Sequence, residues 1–513
     1  MSSWRMLPLL AAAPQQSRTT RLLETPPRQQ AHFLQNPTHR KSGTKYLKVS
    51  NSHSGFTTDE ELIEMELDKY LTPYGQLAPD IFSGMHSSNP LLQLESVTKA
   101  AELLRSKNLS ADVTVQAVVD SGLLPNAIDM LSSSNSDLVL EASSILLDIT
   151  LGTSEQTSAA VSAGAIPKLV AASASEVEDV AYSALLALGN IAADSDELRD
   201  VFLEQGAFRP ALRILAGPAE YSAKIVSTAA WIMESCAASD MMMEYDSIPT
   251  LSEVIPILCK FIRQKNKPKP LTAVIKALHQ MSSSQRAATM ILKHGAVPCL
   301  VRFCTSKNDG LRQQALKLVA WLAYEEGKLL KSMIYNGILK ALEICITDYV
   351  QSRRLACLVA SNIAIAAPLQ AEALVESSVL PLLTGIVADQ KEEWKIRNEA
   401  LTILFHLARK GLKNDRFFSS LIEADCFEAC CAALGCTDWG TIQTGAEIIR
   451  LLVDTSWSGA DDAIQRLEDA GGVNLLRKVW LEGRSKNWPQ PPSVTAHILL
   501  RTYFPESSKP PRV

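Results

Sequence analysis

The sequence predicts an all-α protein whose short helices stack into a solenoid of about nine or ten repeats. Three observations lead to this prediction. Apolar residues make up 47% of the 513 residues, which is enough for a large core. Aromatic residues make up only 6%, while Ala, Leu and Ser are plentiful, and this favours packed helices over a β-sandwich. Small turns also recur at a fixed interval. We place the solenoid at residues 78–505 and expect no strands.

The chain before the solenoid differs in composition. Residues 1–57 contain eight Lys or Arg residues and one acid, Glu24, among frequent Ser, Thr, Gln and Pro. This composition predicts a disordered basic segment. Three interpretations stay open: a tail without a function, a mitochondrial transit peptide, or a basic segment that binds an acidic partner surface. The transit peptide is suggested by the first 23 residues, which contain Arg and no acid.

Two short segments border the solenoid. The stretch TTDEELIEMELDKYL at 57–71 carries six acids and a capping Thr58, so residues 58–77 are predicted to form a short acidic helix and a linker. Its acids either face solvent or cover a basic neighbour. Residues 506–513 are predicted to be a disordered tail.

The turns set the repeat. Glycines at 122, 164, 206, 295 and 337 each end a predicted helix, and the steps 122 to 164, 164 to 206 and 295 to 337 all equal 42 residues. Weaker copies lie at 247–262, 377–387, 424–434 and 470–480. A period near 42 is typical of armadillo and HEAT repeats, which share a continuous core and form a long concave face. The prediction is therefore one right-handed superhelix.

Several repeats resemble those of importin-α, the nuclear-import adaptor. LLALGNIAADSDELRD at 185–200 is similar to the family signature WALGNIAGDS…RD. LEASSILLDITLGTSEQTSAAVSAGAIPKLV at 140–170 resembles the preceding repeat of the family, and NPLLQLESVTKAAELLRSKN at 89–108 its first repeat. EDAGGVNLL at 468–476, followed by HILLRTYF at 497–504, resembles its closing repeat. The resemblance covers residues 78–505 in order and implies an armadillo solenoid.

The resemblance also implies a function. The family's groove binds nuclear localisation signals, which are Lys/Arg-rich peptides. Asn amides clamp the peptide backbone, and Trp rings one turn earlier hold the Lys stems. Asn190 is expected to point into this groove; the alternative is that its amide satisfies a neighbouring carbonyl group.

The family's peptide-binding positions fall on a defined set of residues. The resemblance assigns peptide binding to Asp148, Gly152, Thr157, Asn190, Asp194, Trp231, Ser235, Lys317, Trp321, Asn362 and Glu399. Much of the family's array is replaced. Its other Trp positions are held by Ser144, Leu186, Lys276, Leu358 and Thr402, and two further Asn positions by Gln280 and His406. Each lost cation–aromatic contact removes about 0.5–2 kcal/mol, so basic peptides should bind more weakly than in the family unless a group such as Asp148 compensates.

Two hypotheses of function follow. The first is a divergent import adaptor of the cytoplasm and nucleus that binds basic cargo proteins. An importin-β-like carrier is the further partner that the resemblance implies, although HRKSGTKYLK at 39–48 matches the family's basic helix poorly. The second is a repurposed armadillo scaffold for another protein partner, with the mitochondrion as its alternative location.

Other functions find little support in the sequence. No catalytic motif is present, so we expect neither an enzyme nor a cofactor. Cys426, Cys430, Cys431 and Cys436 lack the spacing of a zinc site. The net charge of -5 argues against nucleic acid, and no apolar run is long enough for a membrane span. Packing is the expected role of Trp394, Trp439, Trp457, Trp480 and Trp488. Trp321, at a groove position, either stacks on a ligand or fills space.

Overall fold

The structure, a computed structural model, describes residues 70–71, 77–105, 111–239, 251–325, 327–412, 414–454, 456–485 and 491–508. The expectations for residues 1–57, for most of 58–77 and for 509–513 lie outside these ranges. Within them the only β pairing is one isolated bridge between Leu71 and Leu77. The chain divides into two compact units, Met1–Ile257 and Leu258–Val513.

The first unit contains short helices in a regular order. They are α1 (Pro79–Met85), α2 (Pro90–Leu104), α3 (Ala111–Asp120), α4 (Leu124–Met130), α5 (Ser136–Leu151), α6 (Ser154–Ser162), α7 (Ala165–Ala172), α8 (Glu178–Asp194), α9 (Asp196–Glu204), α10 (Arg209–Ala216) and α11 (Ala223–Cys236). Helix α12 (Leu251–Arg263) crosses the division between the units.

The second unit continues the same order. Its helices are α13 (Pro268–Met281), α14 (Gln285–Lys293), α15 (Val297–Phe303), α16 (Asp309–Glu325), α17 (Gly327–Tyr335), α18 (Ile338–Asp348), α19 (Arg353–Ile365), α20 (Pro368–Val375), α21 (Val379–Ala388), α22 (Trp394–Gly411), α23 (Asp415–Glu423), α24 (Cys426–Leu434), α25 (Trp439–Leu452), α26 (Ala460–Asp469), α27 (Gly472–Ser485) and α28 (Pro491–Tyr503).

Three helices make one repeat: two short ones and a longer third helix. The third helices are α5, α8 and α11 in the first unit, and α13, α16, α19, α22 and α25 in the second. Within each unit every third helix packs against the next one, and α5, α8, α11, α16, α19, α22 and α25 also pack against the second helix of their own repeat. The apolar stripe of each repeat is therefore buried by its neighbours, which confirms the predicted stacking.

The turn glycines explain the period. Gly122, Gly164, Gly206, Gly295 and Gly337 all have a positive φ, between 66° and 87°. This left-handed conformation favours glycine because a Cβ would be strained there. The five predicted turns are confirmed, and the weaker copies add Gly471 at 74° and Asp425 at 57°.

Polar caps fix where the helices around the candidate groove begin. The Asn135 side chain accepts a hydrogen bond from the Asp137 N–H at the start of α5. Thr153 and Gln156 form a reciprocal capping box at the start of α6. Each cap satisfies a backbone N–H group that the helix itself leaves without a partner. The sharp corner between α5 and α6 is thus encoded locally.

The predicted packing role of the tryptophans is only partly confirmed. Trp457 and Trp480 are buried. Trp394 and Trp439, the first residues of α22 and α25, are each 49% exposed, so for these two the prediction was wrong. At the first position of a helix the neighbouring turn lies on one side only, and the indole has less protein to pack against. Trp488 lies outside the described residues.

The cysteines and the apolar helices complete the description. All ten cysteines are free, and Cys426, Cys430 and Cys431 are buried. Among the described residues, no three His, Cys, Asp or Glu side chains are grouped so that they could hold a metal ion. Within the same ranges no single helix has both the length and the apolarity to cross a membrane, although α20 and α21, bent by 71°, meet the criterion as a pair.

Candidate functional site

The site residues predicted from the sequence fall into two groups, one in each unit. We call the paired positions Ser144/Asp148, Leu186/Asn190 and Trp231/Ser235, on α5, α8 and α11, the first-unit face. The second-unit face comprises the pairs Lys276/Gln280, Lys317/Trp321, Leu358/Asn362 and Thr402/His406, on α13, α16, α19 and α22. In every pair the residues are four apart and lie one above the other on the helix.

Asn190 joins two third helices of the first unit. Its side chain is fully buried, with 0% exposure, and Nδ2 donates a hydrogen bond to Thr150 Oγ1 at 3.3 Å. The amide therefore reaches from α8 back to α5. It binds a hydroxyl group, whereas the sequence suggested either an exposed groove position or a bond to a carbonyl group.

Trp231 closes the neighbouring part of the first-unit face. Its indole is 5% exposed and lies against α8 at Gly189. A Cβ on Gly189 would stand 2.2 Å from the ring atom Cζ3 of Trp231, so only glycine leaves room for the ring. The sequence reasoning missed Gly189, although this glycine interrupts an otherwise apolar helix and signals a close approach.

Three buried polar atoms of this face have no hydrogen-bond partner within the described part of the chain. They are Asn190 Oδ1, Trp231 Nε1 and Ser235 Oγ. Buried polar atoms in native proteins are mostly satisfied, and the exceptions often mark a place where water or a ligand binds. Two acceptors and one donor, shared between neighbouring helices, match the groups that a peptide backbone offers.

Asp148 gives the first-unit face a titratable group. Burial raises the pKa of this carboxyl group from 3.8 to about 7; the Arg105 charge lowers it and the Glu141 charge raises it. Arg105 and Glu141 are themselves joined by an ion pair of 2.5 Å. A cationic ligand beside Asp148 would favour the ionised carboxylate and lower its pKa.

The remaining first-unit residues surround the helix ends. Gly152 is the C-cap of α5. Thr157 is fully buried, and its hydroxyl group donates to the Thr153 carbonyl oxygen at 3.1 Å. Asp194 is the last residue of α8 and is partly buried. Thr157 and Gly152 therefore shape the corner between α5 and α6.

Trp321 has a different environment in the second unit. Its Nε1 donates a hydrogen bond to the Ser282 carbonyl oxygen at 2.8 Å, and its ring meets His279 edge-on at 6.3 Å between centroids. The indole thus joins α16 to the end of α13, and its ring is partly exposed. Lys317, one turn earlier, is exposed.

Asn362 and Glu399 continue this face. Asn362 is buried, and its Nδ2 donates to the Ala320 carbonyl oxygen at 2.7 Å, so it joins α19 to α16 as Asn190 joins α8 to α5. Burial raises the pKa of the Glu399 carboxyl group, and the Arg354 charge opposes this rise. The two surviving Asn residues therefore connect neighbouring repeats.

The third helices differ in net charge between the two units: α5 and α8 are acidic, α13, α19 and α22 are basic, and α11, α16 and α25 are neutral. Helices α5 and α8 each contain three acidic residues and no basic residue, and α11 contains one of each. Helices α13 and α19 each contain two basic residues and no acid, and α16 contains two of each. Helix α22 contains four basic residues and one acid. The net charge of the whole chain hides this difference, which follows from the charges of each third helix counted along the period.

Comparisons with known proteins agree with this architecture. The family model of the Armadillo/beta-catenin-like repeat matches residues 153–193. Importin subunit alpha-5 of Arabidopsis thaliana is 26% identical over 432 residues, which cover 83% of this chain and 80% of that protein. Importin subunit alpha-9 of the same plant is 26% identical over 430 residues, 80% of each chain. The chain is a divergent importin-α-like armadillo-repeat protein.

A solved structure supports the fold of this importin-α-like chain. The crystal structure of an engineered protein matches 82% of this chain and 97% of its own, with a TM-score of 0.64 and 20% sequence identity. At this sequence identity the match supports the fold and nothing further. The matched armadillo repeat, residues 153–193, contains α6, α7 and most of α8, including Gly189 and Asn190.

Proposed function

We propose that this importin-α-like chain is an adaptor that binds Lys/Arg-rich signal peptides of cargo proteins on its first-unit face. The observation that carries the proposal is the acidic excess of α5 and α8, which have three acidic residues each and no basic residue. A peptide with several positive charges is attracted to such a surface and reaches it faster at low salt. The relationship to importin alpha subunits supports the same ligand class.

The buried polar atoms suggest how the peptide is held. Asn190 Oδ1 and Ser235 Oγ accept hydrogen bonds from peptide N–H groups, and Trp231 Nε1 donates to a carbonyl oxygen. Because these atoms are buried, binding requires the Trp231 ring to move away from Gly189. The freed indole then packs against a Lys stem, and Asp148 receives the ammonium group.

Two double variants with identical chemistry test the proposal. Asn190→Ala with Trp231→Ala removes the first-unit pair, and Asn362→Ala with Trp321→Ala removes the same residue types from the second unit. The full chain is titrated with a fluorescent Lys/Arg-rich peptide, and the helical content of each variant is checked by circular dichroism. We expect the first variant to lose at least tenfold in affinity and the second to bind like the parent chain. Equal affinities in both variants would refute the proposal.

Partners and location follow from the same proposal. We expect basic cargo proteins, and a carrier similar to importin-β, to associate with the chain in the cytoplasm and nucleus. The alternative is a mitochondrial scaffold directed by residues 1–57. Imaging a fusion with a free amino end, with and without residues 1–57, separates the two: a mitochondrial signal that disappears on truncation would contradict nuclear import.

A further inference from the structure

The second-unit face differs from a basic-peptide site in its charge. Lys276 and Lys317 occupy neighbouring third helices, α13 and α16, where the importin-α resemblance expects an aromatic wall and an arginine. Arg354 lies one turn before Leu358 on the next third helix, α19. Glu399 is the only acid on α13, α19 and α22, and the acids of α16, Asp309 and Glu325, lie at the two ends of that helix. A Lys/Arg-rich peptide would be repelled here.

Two of these cations are available to a ligand. Lys317 and Arg354 are exposed, and no ion pair joins either of them to a carboxylate within the ranges that the structure describes. Arg409, near the end of α22, is also exposed; its guanidinium lies 5.8 Å from the centre of the Phe405 ring. Positive groups therefore stand on three successive third helices, α16, α19 and α22.

The pKa values of two histidines in the same unit reflect the positive charges around them. Burial, and then the charge of Lys317, lower the pKa of His279 to about 4. Burial, and then Arg409 and Lys410, lower the pKa of His406. Both imidazoles lie near positively charged side chains, which agrees with the basic residues counted on α16 and α22.

We propose that the second-unit face binds an extended acidic peptide of a partner protein through Lys317, Arg354 and Arg409. Neighbouring helix axes are about 8–10 Å apart, and an extended chain rises about 3.3 Å per residue. An extended peptide therefore crosses one third helix about every three residues, and a carboxylate at each crossing is attracted to the basic side chains of these helices. The polar side chains of Gln280 and His406 on this face offer groups to the peptide backbone.

A peptide fits this surface better than a nucleic acid does. One cation per helix spacing is a sparse pattern, whereas each strand of a nucleic acid duplex carries a charge about every 3.4 Å. The whole chain is also acidic, with a net charge of -5, which repels a long polyanion. This inference does not depend on basic-peptide binding by the first-unit face.

The inference is tested by titrating the full chain with a fluorescent peptide. The peptide has Glu at every third residue and Ser or Gly at the positions between. Variants are Lys317→Glu with Arg354→Glu, and the neutral pair Lys317→Gln with Arg354→Gln. The matched control is Lys328→Glu with Lys331→Glu, which makes the same charge change at exposed positions of the first helix α17. Circular dichroism checks the folding of each variant.

We expect saturable binding that weakens when the salt concentration rises, because exposed charge pairs are screened. The Glu pair should lose at least tenfold in affinity, the Gln pair less, and the control at most twofold. An equal loss in the control, or no binding by the parent chain, would overturn the inference. A single-stranded oligonucleotide that binds more tightly than the acidic peptide would overturn it in favour of nucleic acid.

One more outcome concerns the chain itself. A further variant changes the six acids of residues 57–71 to Asn or Gln. It distinguishes binding of a partner protein from binding of the chain's own acidic segment. We expect it to bind the acidic peptide as the parent does. Binding that appears only in this variant would overturn the inference of a partner protein and assign the face to the chain's own acidic segment.

Discussion

Protonation of Asp148 should control basic-peptide binding near neutral pH. The pKa of this carboxyl group is raised to about 7 because burial disfavours its charged form. At pH 6 about one tenth of the molecules carry the carboxylate, and at pH 8 about nine tenths do. If the peptide's ammonium group requires the carboxylate, the affinity should rise about tenfold between these two values, or about 1.4 kcal/mol.

The assay is a fluorescence titration at pH 6 and pH 8 with a peptide that contains Lys and Arg but no His. Its charge is then constant over this range. His279, with a pKa of about 4, stays neutral throughout. The isosteric variant Asp148→Asn should bind equally at both pH values. A parent chain whose affinity does not change with pH, or a variant that keeps the full change, would refute the role of Asp148.

The same group should make stability depend on pH. The pKa of Asp148 is higher in the folded chain than its ordinary 3.8, so the folded state binds the proton more tightly. Stability is therefore highest below about pH 4 for this group and falls as the pH rises towards 7. The full shift corresponds to about 4 kcal/mol, and we expect about 1–2 kcal/mol because the side chain is partly exposed. Urea unfolding of the parent and of Asp148→Asn at pH 5 and pH 8 measures it; equal pH dependence in both would contradict the assignment.

Three further substitutions probe packing and turns. Gly189→Ala forces the Trp231 ring off α8. We expect the free energy of unfolding to fall by about 1–2 kcal/mol, since overpacking outweighs the gain in helix propensity. The affinity for the basic peptide should rise severalfold, since the ring no longer closes the face. A fall in affinity in that titration would contradict the ring movement. Gly337→Ala meets no atom within 4 Å, yet its φ of 87° should cost about 1–2 kcal/mol in urea unfolding. Gly385→Ala, exposed inside α21 and also without a neighbour within 4 Å, should instead stabilise the chain by up to about 1 kcal/mol; the same sign for both would show that backbone conformation does not decide the effect.

The repeat could be predicted because its signal is local. A glycine such as Gly164 is required by its own φ of 87°, and this requirement recurs at every turn of the same kind. Asp425 adopts the same conformation without glycine, so its turn gave a weak signal. The family motif around Asn190 identified the third helix correctly for the same reason: the helix and its caps depend on residues close in sequence.

The burial of individual side chains could not be predicted from such local signals. Asn190 was expected in an open groove, but its burial depends on Thr150 and Trp231, which lie on neighbouring repeats about 40 residues away. The exposure of Trp394 depends equally on what packs over the start of α22. The charge difference between the units was present in the sequence, and it became visible only once the third helices had been delimited.

Photo-crosslinking tests the central claim most directly. A Lys/Arg-rich peptide that carries a benzophenone group is bound to the full chain and irradiated, and the crosslinked residues are identified by mass spectrometry. We predict crosslinks that are confined to α5, α8 and α11 and that disappear when Asn190 and Trp231 are replaced. Crosslinks concentrated on α13, α16, α19 or α22 would contradict it, because the basic peptide would then bind the basic face.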